Sequence, residues 1–268
     1  MLAGVYIAYK KNGTPYFRSN ITYHNKHISL GSYPDEQQAH QAYLEAFDLL
    51  NTPSVTLDTI QTFYPTLLFE KKICLLNFRD NQIYFKNPIY LKNNYFLYFL
   101  SPQLELKFDA DDLFYYSSHK IMQRNGHLFV SDYGMQVNLL SRYGIKNFAV
   151  AGKDYLFVNG DSTDFRYSNI QVINKYYGVT KIIQKNQIVY KAKIHIVGSH
   201  MIGVYPTEEL AAIAYNKAID LAKSHGITKN YVSNYILDLS PRKYAELYIK
   251  IEISPKFLSY LKSFSLQN

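Results

Sequence analysis

Polar and apolar residues alternate at a period of two in one stretch near each end of the chain. Phe17, Ser19 and Ile21 alternate with Arg18, Asn20 and Thr22, and Tyr190, Ala192 and Ile194 alternate with Lys191, Lys193 and His195. This period predicts antiparallel strands with one face buried and one face in water. Turn formers at Asn12-Gly13, His24-Asn25-Lys26, Lys185-Asn186 and Gly198-Ser199 divide each surrounding region into three strands. The period then lengthens. Ala39, Tyr43, Ala46 and Leu50, and again Ala211, Tyr215, Ala218 and Ala222, stand at helical spacing behind a proline turn, with Asp35 or Thr207 as the cap. Gln38 behind Asp35 suits a capping box. Each region is therefore expected to be three strands followed by a helix, and a stripe that is mostly alanine lets that helix lie close on the sheet.

The two helices belong to an internal repeat. GSYPDEQQAHQAYLEAFDLL from Gly31 and GVYPTEELAAIAYNKAIDLA from Gly203 align without a gap, and ten of the twenty positions are identical. Charge is segregated in both copies. Residues 4–33 hold Lys10, Lys11, Arg18 and Lys26 and no acidic residue, and residues 178–205 hold Lys181, Lys185, Lys191 and Lys193 and none either. With the helix on one face, the other face of each sheet is solvated and rich in Arg, Lys, Asn, Thr and His. Such a face suits phosphate neutralisation, and these side chains can read base edges in a major groove. The chain's formal net charge of +8 points the same way.

Several residues resemble the plant-type APETALA/ethylene-response-factor DNA-binding domain. They are Gly4-Val5 and Gly178-Val179 at the first strand, Tyr190-Lys191-Ala192-Lys193-Ile194 in the second, the Gly-x-Tyr and Ala-x-x-x-Tyr elements around the helix, and Asn234-Tyr235 beyond it. The resemblance implies a three-stranded sheet laid in the major groove of duplex DNA. Carried over, the contact residues are Tyr6, Arg18, Asn20, Thr22, His27 and Ser29 in the first copy and Lys181, Lys191, Lys193, His195, Ser199 and Met201 in the second. Lys10 and Lys185 join them from the basic turns. Many of that family's outward arginines and tryptophans are missing, so a target sequence does not carry over.

Residues 155–174, YLFVNGDSTDFRYSNIQVIN, are similar to the core of His-Asn-His homing endonucleases. In those enzymes histidines activate water and hold a divalent metal. Here the Asn159-Gly160-Asp161 turn, Arg166 and Ser168-Asn169-Ile170 remain, but Phe157 and Phe165 stand at the expected ligand positions, and no histidine lies between His127 and His195. The resemblance therefore implies a scaffold of the ββα kind without catalytic or metal-binding residues. Asp161 and Asp164 are expected as turn residues, and Arg166 as either a structural residue or a grip on backbone phosphate.

The remaining features refine this picture. Residues 67–100 show strand-like alternation and are expected in the core. Asp109, Asp111 and Asp112 are expected to cap a helix starting near Leu113. Two amphipathic stretches opened by Ser-Pro, at Ser240 and Ser254, are expected to pack on the second unit or to dimerise. The single cysteine, Cys74, excludes an intramolecular disulfide or a cysteine zinc site, and the first residues carry no signal-peptide or membrane-span pattern.

The expected fold class is α+β, divided at 1–54, 55–176 and 177–268 into two DNA-binding units around a degenerate nuclease-like segment. The expected function is sequence-specific binding of double-stranded DNA as a transcriptional regulator, in the cytoplasm (nucleoid) or nucleus, with no cofactor and no catalysis. A metal-dependent nuclease with an atypical site and an RNA-binding or interaction protein are the alternatives.

Overall fold

The structure, a computed structural model, describes residues 1–265, and the fold class is α+β. The chain packs as two compact units. The first holds Met1–Leu139 and Asn159–Asn169, and the second holds Leu140–Val158 and the residues from Ile170 onward. Residues of the stretch 55–176 are thus found in both.

The first unit opens with β1 (Val5–Tyr9), β2 (Pro15–Tyr23) and β3 (Lys26–Tyr33), an antiparallel sheet in that order. Arg18 stands opposite Tyr6 on one side and Ser32 on the other, and a bulge falls between Ser19 and Asn20. Helix α1 (Glu36–Asn51) follows, with the Gln38 amide donating to the Asp35 carboxylate at 2.8 Å. Ala39, Ala42 and Ala46 are fully buried. The close approach is tightest at Gly4, whose φ is +73° and whose hypothetical Cβ would sit 2.2 Å from the Tyr43 ring.

Beyond α1 the chain forms α2 (Phe69–Asn81), where alternation had predicted strand. Lys72 to Phe78 are all buried, so α2 shows no polar face from which a helical period could be read. Cys74 lies in this run, and burial pushes its thiol up to about 12. Two further antiparallel sheets complete the unit: β4 (Ile89–Leu91), β5 (Tyr95–Ser101) and β6 (Leu104–Asp109), then, after α3 (Leu113–Ser118), β7 (Ile121–Arg124), β8 (His127–Asp132) and β9 (Met135–Asn138). Helix α3 starts where expected, but its N-terminus has no side-chain cap. The Asp109 carboxylate instead accepts the Tyr167 amide at 2.7 Å.

The second unit begins with the short pair β10 (Tyr155–Phe157) and β11 (Ile170–Val172). No α-helix follows this pair as a ββα arrangement would require: the chain runs directly into β12 (Val179–Gln184), β13 (Gln187–His195) and β14 (Ser199–Tyr205). This sheet repeats the first, with a bulge at Ala192/Lys193 matching that at Ser19/Asn20. The Lys193 amide donates to Gly178 O at 2.8 Å, as the Asn20 amide donates to Gly4 O at 2.9 Å. Helix α4 (Glu208–Ser224), capped by Thr207, covers one face, and Gly178 meets Tyr215 as Gly4 meets Tyr43. The Ser-Pro stretches form α5 (Pro241–Lys250) and α6 (Pro255–Ser265), which pack on this unit through Leu247, Ile251, Phe257 and Leu261.

The structural repeat extends past the region of sequence identity. Tyr33 and Tyr205 each donate to a carbonyl in a later segment, Thr66 O at 3.5 Å and Glu252 O at 2.8 Å. Asp48 and Asp220 each accept a tyrosine hydroxyl from the same later segments, Tyr64 at 2.7 Å and Tyr248 at 2.8 Å.

Candidate nucleic-acid interface

Strand alternation decides which side chains leave the helix-covered face. In the first sheet Ser19, Ile21, Ile28 and Leu30 point to α1, which sends Arg18, Asn20, Thr22, His27 and Ser29 to the other side. Tyr6 joins them because it pairs with Arg18, and it is 52% exposed. All six expected contact residues of this copy therefore share one open face. Three of them are already tethered: Arg18 Nη2 donates to the Tyr16 hydroxyl at 3.0 Å, with its guanidinium 5.6 Å from the Tyr16 ring centre, and Thr22 Oγ1 lies 3.3 Å from His27 Nδ1. Lys10 is exposed in the β1–β2 turn.

In the second sheet Val179, Ala192, Ile194 and Ile202 are buried toward α4, so Lys191, Lys193 and His195 face out, with Met201 opposite Lys193 and Ser199 opposite His195. Lys181 is the exception. It pairs with Tyr190, two residues from buried Ala192, and so belongs to the helix side, while Thr180 is the residue across from Lys191. The position carried over from the resemblance is off by one residue, and a one-residue step changes the face. Lys185 lies exposed in the β12–β13 turn with φ +50°. Among the described residues Lys185, Lys191 and Lys193 have no side-chain partner. The far end of this face is braced from behind by Lys229 Nζ and the Tyr231 hydroxyl, both donating to His195 O at 3.0 Å.

Comparison with protein-family models, curated proteins and solved structures finds no match in any of the three. The site therefore stands on its own geometry. Neither open face carries a carboxylate, because the strands of both sheets contain no Asp or Glu. Among the described residues no helix is long and apolar enough to cross a membrane.

The nuclease-like segment is knitted together by its own polar groups. Asp161 Oδ1 accepts the Thr163 amide and hydroxyl, and its Oδ2 takes Lys107 Nζ at 3.4 Å. Those bonds hold its carboxyl below the usual carboxylate range. Asp164, 1% exposed, accepts Arg166 Nε at 2.9 Å and Asn159 Nδ2 at 3.1 Å, and its pairing with the guanidinium likewise lowers its pKa. The second guanidinium nitrogen closes a bidentate pair, and Arg166 also lies over the Tyr95 ring. Its charge is thereby neutralised inside the first unit, which makes it a structural residue before it is a phosphate grip.

Asn169 donates to Asp161 O and Asp164 O and accepts the Asn159 amide, so it closes the loop on itself. Phe165 stacks on Phe108 at 5.4 Å, as a core residue does. Among the described residues no group of three or more His, Cys, Asp or Glu side chains gathers as a metal site would need.

Sequence reasoning missed Tyr16, which holds Arg18. Its signal was present in the spacing, since Tyr16 and Arg18 are two apart on one strand face.

Proposed function

We propose that the chain binds double-stranded DNA through the open faces of its two repeated sheets and acts as a transcriptional regulator that performs no chemistry on the DNA. The observation that carries this reading is the repeated open face itself. Each sheet turns a cation-bearing, carboxylate-free surface away from its helix, with arginine or lysine at the centre of the middle strand. An anionic polymer is the ligand such a surface attracts, and Arg, Lys, Asn and Thr at two-residue spacing on a β-ribbon suit a major groove. The resemblance to the APETALA/ethylene-response-factor domain supports duplex DNA as that polymer. Two modules on one chain raise affinity through effective concentration.

The reading without catalysis rests on the nuclease-like loop, where Asp161, Asp164, Asn159 and Asn169 satisfy one another and aromatic side chains occupy the positions of ligands. In this proposal that segment is a scaffold, and the protein works where DNA is reached without crossing a membrane, in the nucleoid of a cytoplasm or in a nucleus.

The test is a fluorescence titration against a duplex pool, its single strand and matched RNA, at two salt concentrations, with and without magnesium. The expected result is tight, salt-sensitive binding of uncut duplex. Cleavage in magnesium would replace this reading by the nuclease, and preference for single strands or RNA would replace it by an RNA-binding or interaction protein.

A further inference from the structure

The two open faces differ in how firmly their cations are held. Reading across the sheets from the matched bulges, Arg18 corresponds to Lys191, Tyr16 to Val189, Tyr6 to Thr180, Ser32 to Val204, Asn20 to Lys193 and Ser29 to Met201. Tyr16 fixes the Arg18 guanidinium by a 3.0 Å hydrogen bond and by lying beneath it. Val189 offers Lys191 neither contact. Around Arg18 the first face presents Asn20, Ser29, Ser32 and Tyr6, all able to donate or accept hydrogen bonds. Around Lys191 the second presents one hydroxyl, Thr180, beside apolar Val204, half-buried Ile182 and 44% exposed Met201.

We infer that the sheets divide the work of recognition: the first reads base identity through Arg18, and the second supplies sequence-independent attraction through Lys191 and Lys193. This inference rests on the DNA-binding reading above. Discrimination between bases needs a donor pair in fixed geometry, because the bidentate contact to guanine O6 and N7 distinguishes it from the other bases only if both bonds form together. A planar guanidinium restrained before binding provides that pair at low entropic cost, whereas a lysine ammonium is a mobile point charge. Phosphates tolerate the mobile charge, since neutralising them releases counterions wherever the cation sits.

The experiment selects a preferred duplex from a random pool with the full chain, then measures affinity for that duplex and for a scrambled one across a salt series. Arg18→Lys keeps the charge and loses the fork. It is expected to cut the preference for the selected duplex about tenfold while leaving the slope of log affinity against log salt unchanged. Lys191→Gln with Lys193→Gln is expected to weaken both duplexes equally and to reduce that slope by about 2, with the preference intact.

A gain-of-function pair guards against misfolding of either variant: Val189→Tyr with Lys191→Arg should give the second sheet a preference of its own, readable by a new selection. Preference that survives Arg18→Lys, or that vanishes in the double lysine variant, overturns the division of work. So does a wild-type chain that binds duplex with no preference, an outcome that leaves the DNA-binding reading standing. Absence of any duplex binding overturns both.

Discussion

Where β2 sets Arg18 beside Tyr16 on its open face, β13 sets Lys191 beside Val189, and on the covered face the same two strands place Ser19 and Ala192 against helices that share the same alanine stripe. The two copies thus agree in what holds them together and differ in what they show to solvent. Agreement runs through backbone proximity. Gly4 and Gly178 pass under Tyr43 and Tyr215, and Tyr33 and Tyr205 fold back beside Gly31 and Gly203 before donating to a later carbonyl. Even where the residues differ, the contact persists. Glu45 accepts the Thr66 and Leu67 amides, while Lys217, at the same place on α4, donates to Ile249 O and Ile251 O. A packing requirement can be met by either charge if the partner backbone turns the matching group toward it. A recognition surface has no such freedom, because its partner is fixed from outside.

If the shared contacts define the unit, breaking one should damage both copies in a predictable order. Gly178→Ala is expected to cost about 4 kcal/mol, since it adds left-handed backbone strain and places Cβ 2.2 Å from the Tyr215 ring and 2.5 Å from Lys193 O, which cannot move without breaking the bulge. Gly4→Ala places Cβ 2.2 Å from the Tyr43 ring and 2.9 Å from Tyr43 Cβ, with no backbone atom among its three nearest neighbours, and is expected to cost about 2 kcal/mol. Urea unfolding of each variant checks the order. Equal losses would show that the Lys193 carbonyl is not the rigid element.

The tyrosine–aspartate bonds probe the part of the repeat that sequence identity does not reach. Tyr64→Phe and Tyr248→Phe are each expected to cost about 1.5 kcal/mol. Both hydroxyls are pushed up to about 12 by burial and by the aspartate they serve, so both are protonated donors at neutral pH. Matching losses in the same denaturation assay support an extended repeat, and a loss confined to one copy limits the repeat to the strands and helix.

His200 distinguishes the copies by pH. It occupies the place of Ile28, stacks on Tyr260 of α6 at 3.8 Å and keeps a buried Nε2 without a hydrogen-bond partner. Burial first, then the nearby His195, lowers its pKa below the ordinary histidine value. Tyr260 meets it from α6, and Tyr231 reaches the same end of β13. A base whose folded pKa is depressed contributes stability above its unfolded pKa near 6.5 and loses it as pH falls toward the folded value. The second unit should therefore lose stability as pH falls below about 6.5, and His200→Ile should remove that component of the pH dependence. Thermal unfolding at pH 7 and pH 5 measures it. A pH response unaltered in the variant would reject the assignment.

The sheet-plus-helix units were legible because two-residue alternation, turn residues and caps all act locally, and because the repeat presents each signal twice. The register of the outer strand was not. Lys181 and Thr180 differ by one position, and pairing with Tyr190 and Lys191 turns Thr180 outward. Helix α2 was hidden for the opposite reason: burial on every side erased the polar face that marks a helix. The loop at Asn159 was recognisable by its turn residues, yet the closure of Asn169 on Asp161 and Asp164 depends on contacts between separated positions. The cost of Lys72 in the core is offset in the same non-local way, by its Nζ donating to Phe63 O at 2.6 Å.

The smallest expected effect returns to the covered face, at the one position of the middle strand where serine stands against alanine. Ser19 is fully buried, and its hydroxyl has no hydrogen-bond partner, while Ala192 fills the same position beneath α4. A buried hydroxyl without a partner has lost its hydration and gained nothing in return. Replacing both the group and its unmet demand by hydrogen removes that penalty, and the void left by an oxygen is small. Ser19→Ala is therefore expected to stabilise the first unit by about 0.5–1 kcal/mol, and Ala192→Ser to destabilise the second by a similar amount, both read from the urea midpoint at constant slope. Loss of stability in Ser19→Ala would mean that the hydroxyl is satisfied in solution, and the two covered faces would then differ in chemistry as the open ones do.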